Sequence, residues 1–246
     1  MNEYGLIGYP LQHSFSKKYF TEKFEREGLK DCYFELFPLE FIGDFSVLLR
    51  DHPDLNGVAV TIPYKEQVMR YLTSTDKIAE QTGAVNCIRI KGGHLKGYNT
   101  DTAGFERSFI PLLQKHHTKA LVLGSGGASK AVQYILKKLG ITFLIVTRQR
   151  SESSFHINYE MVNDAVLHEY PVIINCTPLG MAPDDNTKPP LPYQYLDRRN
   201  YLYDLVYKPE ETLFLKEGKK QGALVKNGFE MLVIQAEENW RVWNEM

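Results

Sequence analysis

"ALVLGSGGASKAVQYILKKLGITFLIVTR", residues 120–148, decides the fold of half of this chain. An apolar run over 120–123 stops at a glycine turn; helical spacing then sets Val132, Ile135, Leu136 and Leu139 on one side before Gly140 ends the pattern. A second apolar run, "TFLIV", follows. Strand, glycine turn, helix, strand is the sequence form of a βαβ unit, whose parallel strands are covered on both faces and therefore lack polar alternation. In "GSGGASKA", Gly124 and Gly126 stand where a dinucleotide turn needs them, one to make the turn and one to let the backbone approach a pyrophosphate at a helix N-terminus. The candidate cradle is Gly124, Ser125, Gly126, Gly127 and Ala128, with Ser129 in place of a third glycine. S-adenosylmethionine enzymes use a similar turn, and the end of the second strand has to separate the ligands. An NAD site wants an acid there, about 20 residues on. The chain has "VTRQRSE" instead, with Thr147 and Arg148 at the strand tip. A guanidinium suits a ribose 2′-phosphate in charge and fork geometry, which favours NADP.

The rest of the chain is long enough for a second domain, since 246 residues exceed what one ordinary core needs. Twenty-nine Lys and Arg against 30 Asp and Glu leave a net charge of −1, a balance that offers no field for nucleic acid or an anionic membrane and suits a small ligand. No apolar run reaches the ~18 residues of a membrane span. "MNEYGLIGYP" lacks the basic start and long apolar region of a signal peptide, so a cytoplasmic protein is expected. Cys32, Cys87 and Cys176 are odd in number, far apart and set in apolar runs, which reads as buried thiols rather than a disulfide frame or a metal site. "APDDNTKPPLP", residues 182–192, reads as an exposed loop.

In the first half, "YGLIGYP" and "CYFELFP" read as strands ended by proline, and between them Phe15, Tyr19, Phe20 and Phe24 recur at helical spacing from Ser14 to Gly28 as core positions. "LNGVAVTIP" and "AVNCIRI" are further strands, "KGG" is a hairpin turn into "HLKGYN", and a helix from about Thr102 to Leu113 leads out. "VTIPYKE", residues 60–66, ends a strand in proline and presents Lys65 in the first turn of an expected helix. Ser14 and Ser16 stand at a helix start, where they can cap the helix or hold a carboxylate. Asn86 interrupts an apolar strand, and Asn99, Thr100 and Asp101 stand at the foot of the outgoing helix. After the βαβ unit, strands are expected at "VIINCT" and "YLYDLVY" and a short one near "ALVKNG", with helices near 159–167, 210–221 and 229–243.

Taken in order, "GYPLQHSFS", "VTIPYKE", "TGAVN", "NTD", "GSGGASKA", "INCTPLGM", "YDLVY" and "NGFEMLVIQA" resemble the shikimate dehydrogenase family over essentially the whole chain. The resemblance implies an α/β protein of two domains: an N-terminal substrate domain, 1–101, completed by a C-terminal helix, 229–246, and a Rossmann-type NADP domain, 102–228, with the active site in the cleft between them. It implies reversible NADPH-dependent reduction of 3-dehydroshikimate to shikimate, a step of aromatic amino acid biosynthesis. Ser14 and Ser16 fall on the carboxylate-binding serines, Lys65 on the catalytic acid/base and Asp101 on its partner. Thr61, Asn86 and Gln235 match positions that hold ring hydroxyls, and Tyr207 matches a substrate contact beside the nucleotide. Gly124 to Ala128 match the pyrophosphate turn, Thr147 and Arg148 the adenosine phosphate site, and Leu205 and Gly228 the nicotinamide surroundings. The partners implied are small molecules, with no nucleic acid or membrane, in a monomer or homodimer.

Residue chemistry agrees with the assignment. Reducing a ketone leaves an alkoxide, which needs a proton donor at the oxygen, and an ammonium supplies both proton and charge. An adjacent carboxylate stabilises the charged lysine and orients it. Several positions depart from the family pattern: Ala59 stands for a common Asn and Tyr98 for a common Asp, removing polar support expected near the site, and Glu152 stands for a second arginine, with Arg150 nearby as a substitute. The last departure leaves NAD as a weaker alternative cofactor. A quinate/shikimate dehydrogenase and a non-catalytic metabolite sensor are the rival readings, and two serines in the carboxylate motif favour shikimate. The chain ends soon after the last expected helix, and truncation there is expected to be tolerated because no site residue maps beyond Gln235.

Overall fold

The computed structural model describes residues 1–11, 14–148 and 155–245. They divide into two units, residues 1–100 with the chain from Ala236 onward, and residues 101–235. The first unit contains β1 (Asn2–Gly8), α1 (Phe15–Glu27), β2 (Cys32–Pro38), α2 (Phe45–Asp51), β3 (Leu55–Val60), β4 (Ser74–Thr75), α3 (Lys77–Thr82), β5 (Cys87–Lys91) and β6 (His94–Tyr98). Its sheet runs β2-β1-β3-β5-β6-β4, parallel through β2, β1 and β3 and antiparallel through β3, β5 and β6.

Strand alternation divides this sheet into two cores. A row of Leu36, Leu6, Ala59, Cys87 and Tyr98, aligned strand to strand, lies on the face that packs Phe20, Phe24, Phe34 and Trp243. Ile7, Val58, Val60 and Ile88 face the other way, toward Phe45, Leu48 and Val68. The expected hairpin turn forms at Gly92 and Gly93, both at positive φ (56° and 76°), as a two-residue connection between twisted strands requires. Of the four aromatics expected in the core from α1, Phe20 and Phe24 are buried, while Phe15 and Tyr19 are only half-buried and stack on each other. The helix expected after "VTIPYKE" is a turn followed by a 3₁₀ segment, Gln67–Tyr71; Tyr64 is drawn into the core and donates its hydroxyl to the Leu39 carbonyl at 2.5 Å.

The second unit contains α4 (Asp101–Phe109), β7 (Lys119–Leu123), α5 (Gly127–Lys138), β8 (Thr142–Thr147), β9 (His156–Asn158), α6 (Asp164–Glu169), β10 (Val172–Asn175), β11 (Tyr201–Asp204), α7 (Leu213–Lys220), β12 (Leu224–Lys226) and the first turns of α8 (Phe229–Trp243). Its sheet is wholly parallel in the order β12-β11-β10-β7-β8-β9. Counted from β7, that is the doubly wound order 3-2-1-4-5-6 of a dinucleotide-binding sheet, with its switch point between β7 and β10. Apolar residues cover both faces: Leu121, Leu123, Ile173 and Leu202 on one, Val122, Ile174, Tyr201 and Tyr203 on the other.

The helix expected over 102–113 stops at Phe109 and continues as a 3₁₀ turn, Ile110–Leu112, where Pro111 has no N–H to donate. The one expected near 159–167 is two pieces, a 3₁₀ turn at Tyr159–Met161 and α6, because Asn163 caps a new start by accepting the Val166 N–H at 3.1 Å. In α8, Met231 packs in the second unit while Ala236, Val242 and Trp243 pack in the first, so the units divide inside the helix rather than at about 228. The end of α8 belongs to the core of the first unit. Trp243 is 6% exposed, stacks on Tyr4 at 5.1 Å between ring centres, and donates its indole N–H to the Ile88 carbonyl at 3.0 Å. Among the described residues, no helix is long and apolar enough to cross a membrane.

Candidate active site

In the first unit, backbone hydrogen bonds gather three expected site residues at the carboxyl ends of β1 and β3. Thr61 donates its N–H to the Ile7 carbonyl at 2.9 Å, Val60 donates to Asn86 at 2.8 Å, and the Lys65 carbonyl accepts from Val85 at 2.7 Å. The Lys65 turn and the Asn86 segment are therefore fixed on each other through main chain, and the half-buried Lys65 side chain starts from a rigid base. The buried Asn86 carboxamide is oriented by Thr100: Oδ1 accepts the Thr100 N–H at 2.7 Å and Nδ2 donates to its hydroxyl at 2.9 Å. That hydroxyl in turn donates to Asn239 Oδ1 on α8 at 2.6 Å. Ser14 caps α1, its Oγ accepting the Ser16 N–H at 3.2 Å, and Ser16 is buried in the first turn. Both readings of these serines remain compatible, since a cap leaves the hydroxyl hydrogen of Ser14 for a ligand. Gln12 and His13 of the same motif lie outside the described residues.

In the second unit, the expected nucleotide residues line the carboxyl edge of the parallel sheet. Gly124 follows β7 at φ 97° and donates its N–H to the Val146 carbonyl at 2.9 Å; a Cβ there would stand 3.0 Å from Thr177 Cγ2. Gly126, the N-cap of α5, meets open space where a Cβ would be, so a ligand can approach its backbone. Ser125 is exposed, and Gly127 and Ala128 are half-buried in the turn. Ser129, at the third glycine position, is fully buried with its hydroxyl donated to the Gly126 carbonyl at 2.7 Å. The polar group is thus satisfied within the turn. Thr147 ends β8 and Arg148 follows it, exposed; burial pushes the Tyr159 phenol up to about 12, and the Arg148 charge pulls it back. Arg150 and Glu152, the substitute and the departure expected here, lie outside the described residues.

Further along the same edge, Leu205 follows β11 and Gly228 follows β12, and the two meet: a Cβ on Gly228 would come within 2.2 Å of the Leu205 carbonyl oxygen. Tyr207 is half-buried, and burial pushes its hydroxyl above the usual phenol range, leaving a neutral donor at pH 7. Asp101 is buried in the first turn of α4, where the helix dipole favours a carboxylate. Gln235 is buried on α8 and donates Nε2 to the Leu232 carbonyl at 3.1 Å. At Gly104 the two helices close up, a Cβ there standing 2.6 Å from the Met231 carbonyl and 3.2 Å from Gln235 Cβ, which joins the helix of Asp101 to that of Gln235. A small open cavity of about 220 Å³ lined by His116, His168, Tyr195, Asp197 and Arg199 lies elsewhere, at the amino ends of β10 and β11.

A family model described as the shikimate dehydrogenase substrate binding domain matches residues 6–88. A curated shikimate dehydrogenase (NADP(+)) of Caldanaerobacter subterraneus subsp. tengcongensis is 34% identical, covering 98% of this chain and 90% of that protein. The chain belongs to the shikimate dehydrogenase family. Solved structures agree. Shikimate dehydrogenase from Aquifex aeolicus gives a TM-score of 0.87 at 29% identity, covering 99% of this chain and 92% of that one. Shikimate 5-dehydrogenase from Thermus thermophilus, described in complex with NADP(H) and shikimate, gives 0.82 at 27% identity, covering 100% and 94%.

Against the shikimate dehydrogenase pattern, the departures at Ala59 and Tyr98 take a different meaning from the one expected. Both lie in the cross-strand row, Ala59 beside Cys87 and Cys87 beside Tyr98, within the aromatic core of the first unit. A polar pair would need partners in that core, whereas alanine and tyrosine fill it. The departures therefore belong to packing. Residues that sequence reasoning passed over are Asn239, which accepts from the Thr100 hydroxyl that orients Asn86, and Asn175, Asp204 and Thr212 in the second unit. Their signal was present, a polar residue ending an apolar strand in "INCT" and "YDLVY", but its meaning depends on which strands become neighbours.

Proposed function

We propose that this protein is an NADP-dependent shikimate dehydrogenase that interconverts 3-dehydroshikimate and shikimate. The observation that carries the reading is near full-length identity to curated NADP(+)-dependent shikimate dehydrogenases in a chain that keeps Lys65, Asp101, the serine pair and the glycine turn. The site fits the cofactor: Gly124 makes the turn at the switch point, Gly126 leaves its backbone open, and Arg148 at the tip of β8 offers charge to a 2′-phosphate. When bound, NADPH supplies a hydride to the ketone carbon.

The chain's own groups do the rest. Ser14 and Ser16 hold the substrate carboxylate at the start of α1, where free N–H groups and the dipole support an anion. Thr61, Asn86, Tyr207 and Gln235 are the hydrogen-bonding groups for substrate, and Asn86 is pre-oriented by Thr100. Lys65 donates the proton to the ketone oxygen as charge develops there and takes it back in the oxidative direction. Asp101 is the acceptor that orients this chemistry. Leu205 and Gly228 surround the nicotinamide. The serine pair favours shikimate over quinate, and intact Lys65 and Asp101 favour an enzyme over a sensor. A cytoplasmic location and a monomeric or homodimeric state belong to the same proposal, the free thiols of Cys32, Cys87 and Cys176 being in keeping with a reducing compartment.

Steady-state kinetics of Lys65→Ala test the mechanism. Turnover is expected to fall by about two to four orders of magnitude, the range of a general acid, with a much smaller change in the KM for shikimate. Turnover near that of the wild type would sink the role of Lys65.

A further inference from the structure

At the carboxyl edge of the second unit, a buried carboxylate holds together the ends of two strands and the start of a helix. Asp204, fully buried at the end of β11, accepts from Asn175 Nδ2 at 2.9 Å and from the Val206 N–H at 3.0 Å on Oδ1, and from the Thr212 hydroxyl at 2.6 Å on Oδ2. Asn175, at the end of β10, uses its other side to shape the next turn: Oδ1 accepts the Thr177 hydroxyl at 2.6 Å and the Thr177 N–H at 3.1 Å. Thr177 is the residue a Cβ on Gly124 would strike, so the chain reaches the glycine turn. On the other side, Leu205 donates its N–H to the Asn175 carbonyl at 3.0 Å, Gly228 donates to the Val206 carbonyl at 3.2 Å, and Gly228 lies against the Leu205 carbonyl. Burial pushes Asp204 up to about 6 against the pull of these donors, a desolvation cost that an apolar residue would avoid. A carboxylate retained under that cost has to do something that packing does not.

Sheet topology indicates what that is. In a 3-2-1-4-5-6 sheet each half binds one nucleotide: the pyrophosphate sits at the first turn, here after β7, and the second nucleotide extends over the strands that follow the switch point, here β10 and β11. Asn175 and Asp204 are the last residues of those two strands, and both are buried together with Thr212. We infer that Asp204, held by Asn175 and Thr212, is a positioning residue for the nicotinamide half of the dinucleotide, fixing the Leu205–Val206 backbone and Gly228 relative to the pyrophosphate turn. This rests on the proposed cofactor reading and deepens it. Asp204 does not touch the reacting atoms; it acts through main chain, where a misplacement of about 1 Å can cost two orders of magnitude in rate.

The test separates the two halves of the cofactor. Thr212→Val keeps the shape of the buried side chain and removes the hydroxyl that Asp204 Oδ2 accepts; Thr212→Ser restores it. Binding of NADPH is followed by nicotinamide fluorescence, and binding of 2′,5′-ADP, which carries only the adenosine phosphate half, by calorimetry. Thr212→Val is expected to weaken NADPH about tenfold and leave 2′,5′-ADP within twofold of wild type, with Thr212→Ser close to wild type for both, in keeping with loss of one hydrogen bond to a charged group. Should the valine not fold, Thr212→Ala removes the same hydroxyl without placing a methyl against the carboxylate, and the same split is required of it. Equal weakening of NADPH and 2′,5′-ADP, or no weakening of either, would overturn the inference. Wild-type protein that binds NADPH but does not turn over shikimate would instead refute the proposed function and leave this split intact.

Discussion

The proposed preference for NADP rests on a single side chain, Arg148. It is exposed at the tip of β8. A guanidinium there gains a paired 2′-phosphate in NADP and nothing comparable in NAD. Arg148→Ala is therefore expected to raise the KM for NADP about tenfold or more while changing that for NAD by less than about twofold, a charge-assisted hydrogen bond being worth roughly 1.5–3 kcal/mol. Equal effects on both, measured by initial rates, would mean that the arginine does not read the phosphate. At this scale, the sequence showed residue types and order but not company. Lys65 became a candidate only beside Ser14, Asn86 and Asp101 in family order, since a lone lysine after a proline is ordinarily surface charge. Asp204 stayed silent because its chemistry comes from neighbours, Asn175 and Thr212, that meet it only in the folded sheet.

At the scale of elements, α8 contributes to packing well past the last expected site residue. Trp243 touches Tyr4, Phe20 and Phe34 and closes over the first unit's sheet. Trp243→Ala is expected to destabilise the protein by about 3–5 kcal/mol, the usual cost of deleting a buried large aromatic, measured by urea denaturation. A loss under about 1 kcal/mol would show that the site collapses around the gap. The elements legible in sequence were those with a strong period or an explicit stop: β7, α5 and β8 around the glycine turn, the Gly92–Gly93 hairpin, and α8 over 229–243. Short 3₁₀ pieces were not. Gln67–Tyr71 and Tyr159–Met161 carry helical spacing for one turn only: Leu72 leaves the first in extended backbone, and Asn163 caps a new start soon after the second. The short strands β4 and β9 have two and three residues, too few to show any alternation.

At the scale of the whole molecule, each unit has a sheet whose carboxyl-end loops carry polar side chains over an apolar core. One unit holds Thr61, Lys65 and Asn86 on a common main-chain frame. The other sets the glycine turn, Arg148, Leu205 and Gly228 along one edge in the doubly wound order. That there are two units was legible in the order of motifs, the strand, glycine turn, helix, strand pattern at 120–148 marking the second. The boundary was less so: α8 shares its two ends between cores, and no composition shift marks a division inside a helix. The central claim is a substrate paired with a cofactor, and initial rates of shikimate and quinate oxidation, each with NADP and with NAD, test it most directly. Shikimate with NADP is expected to give the highest kcat/KM of the four pairs. Absence of shikimate oxidation with either nucleotide, or a higher kcat/KM for quinate, would contradict the account.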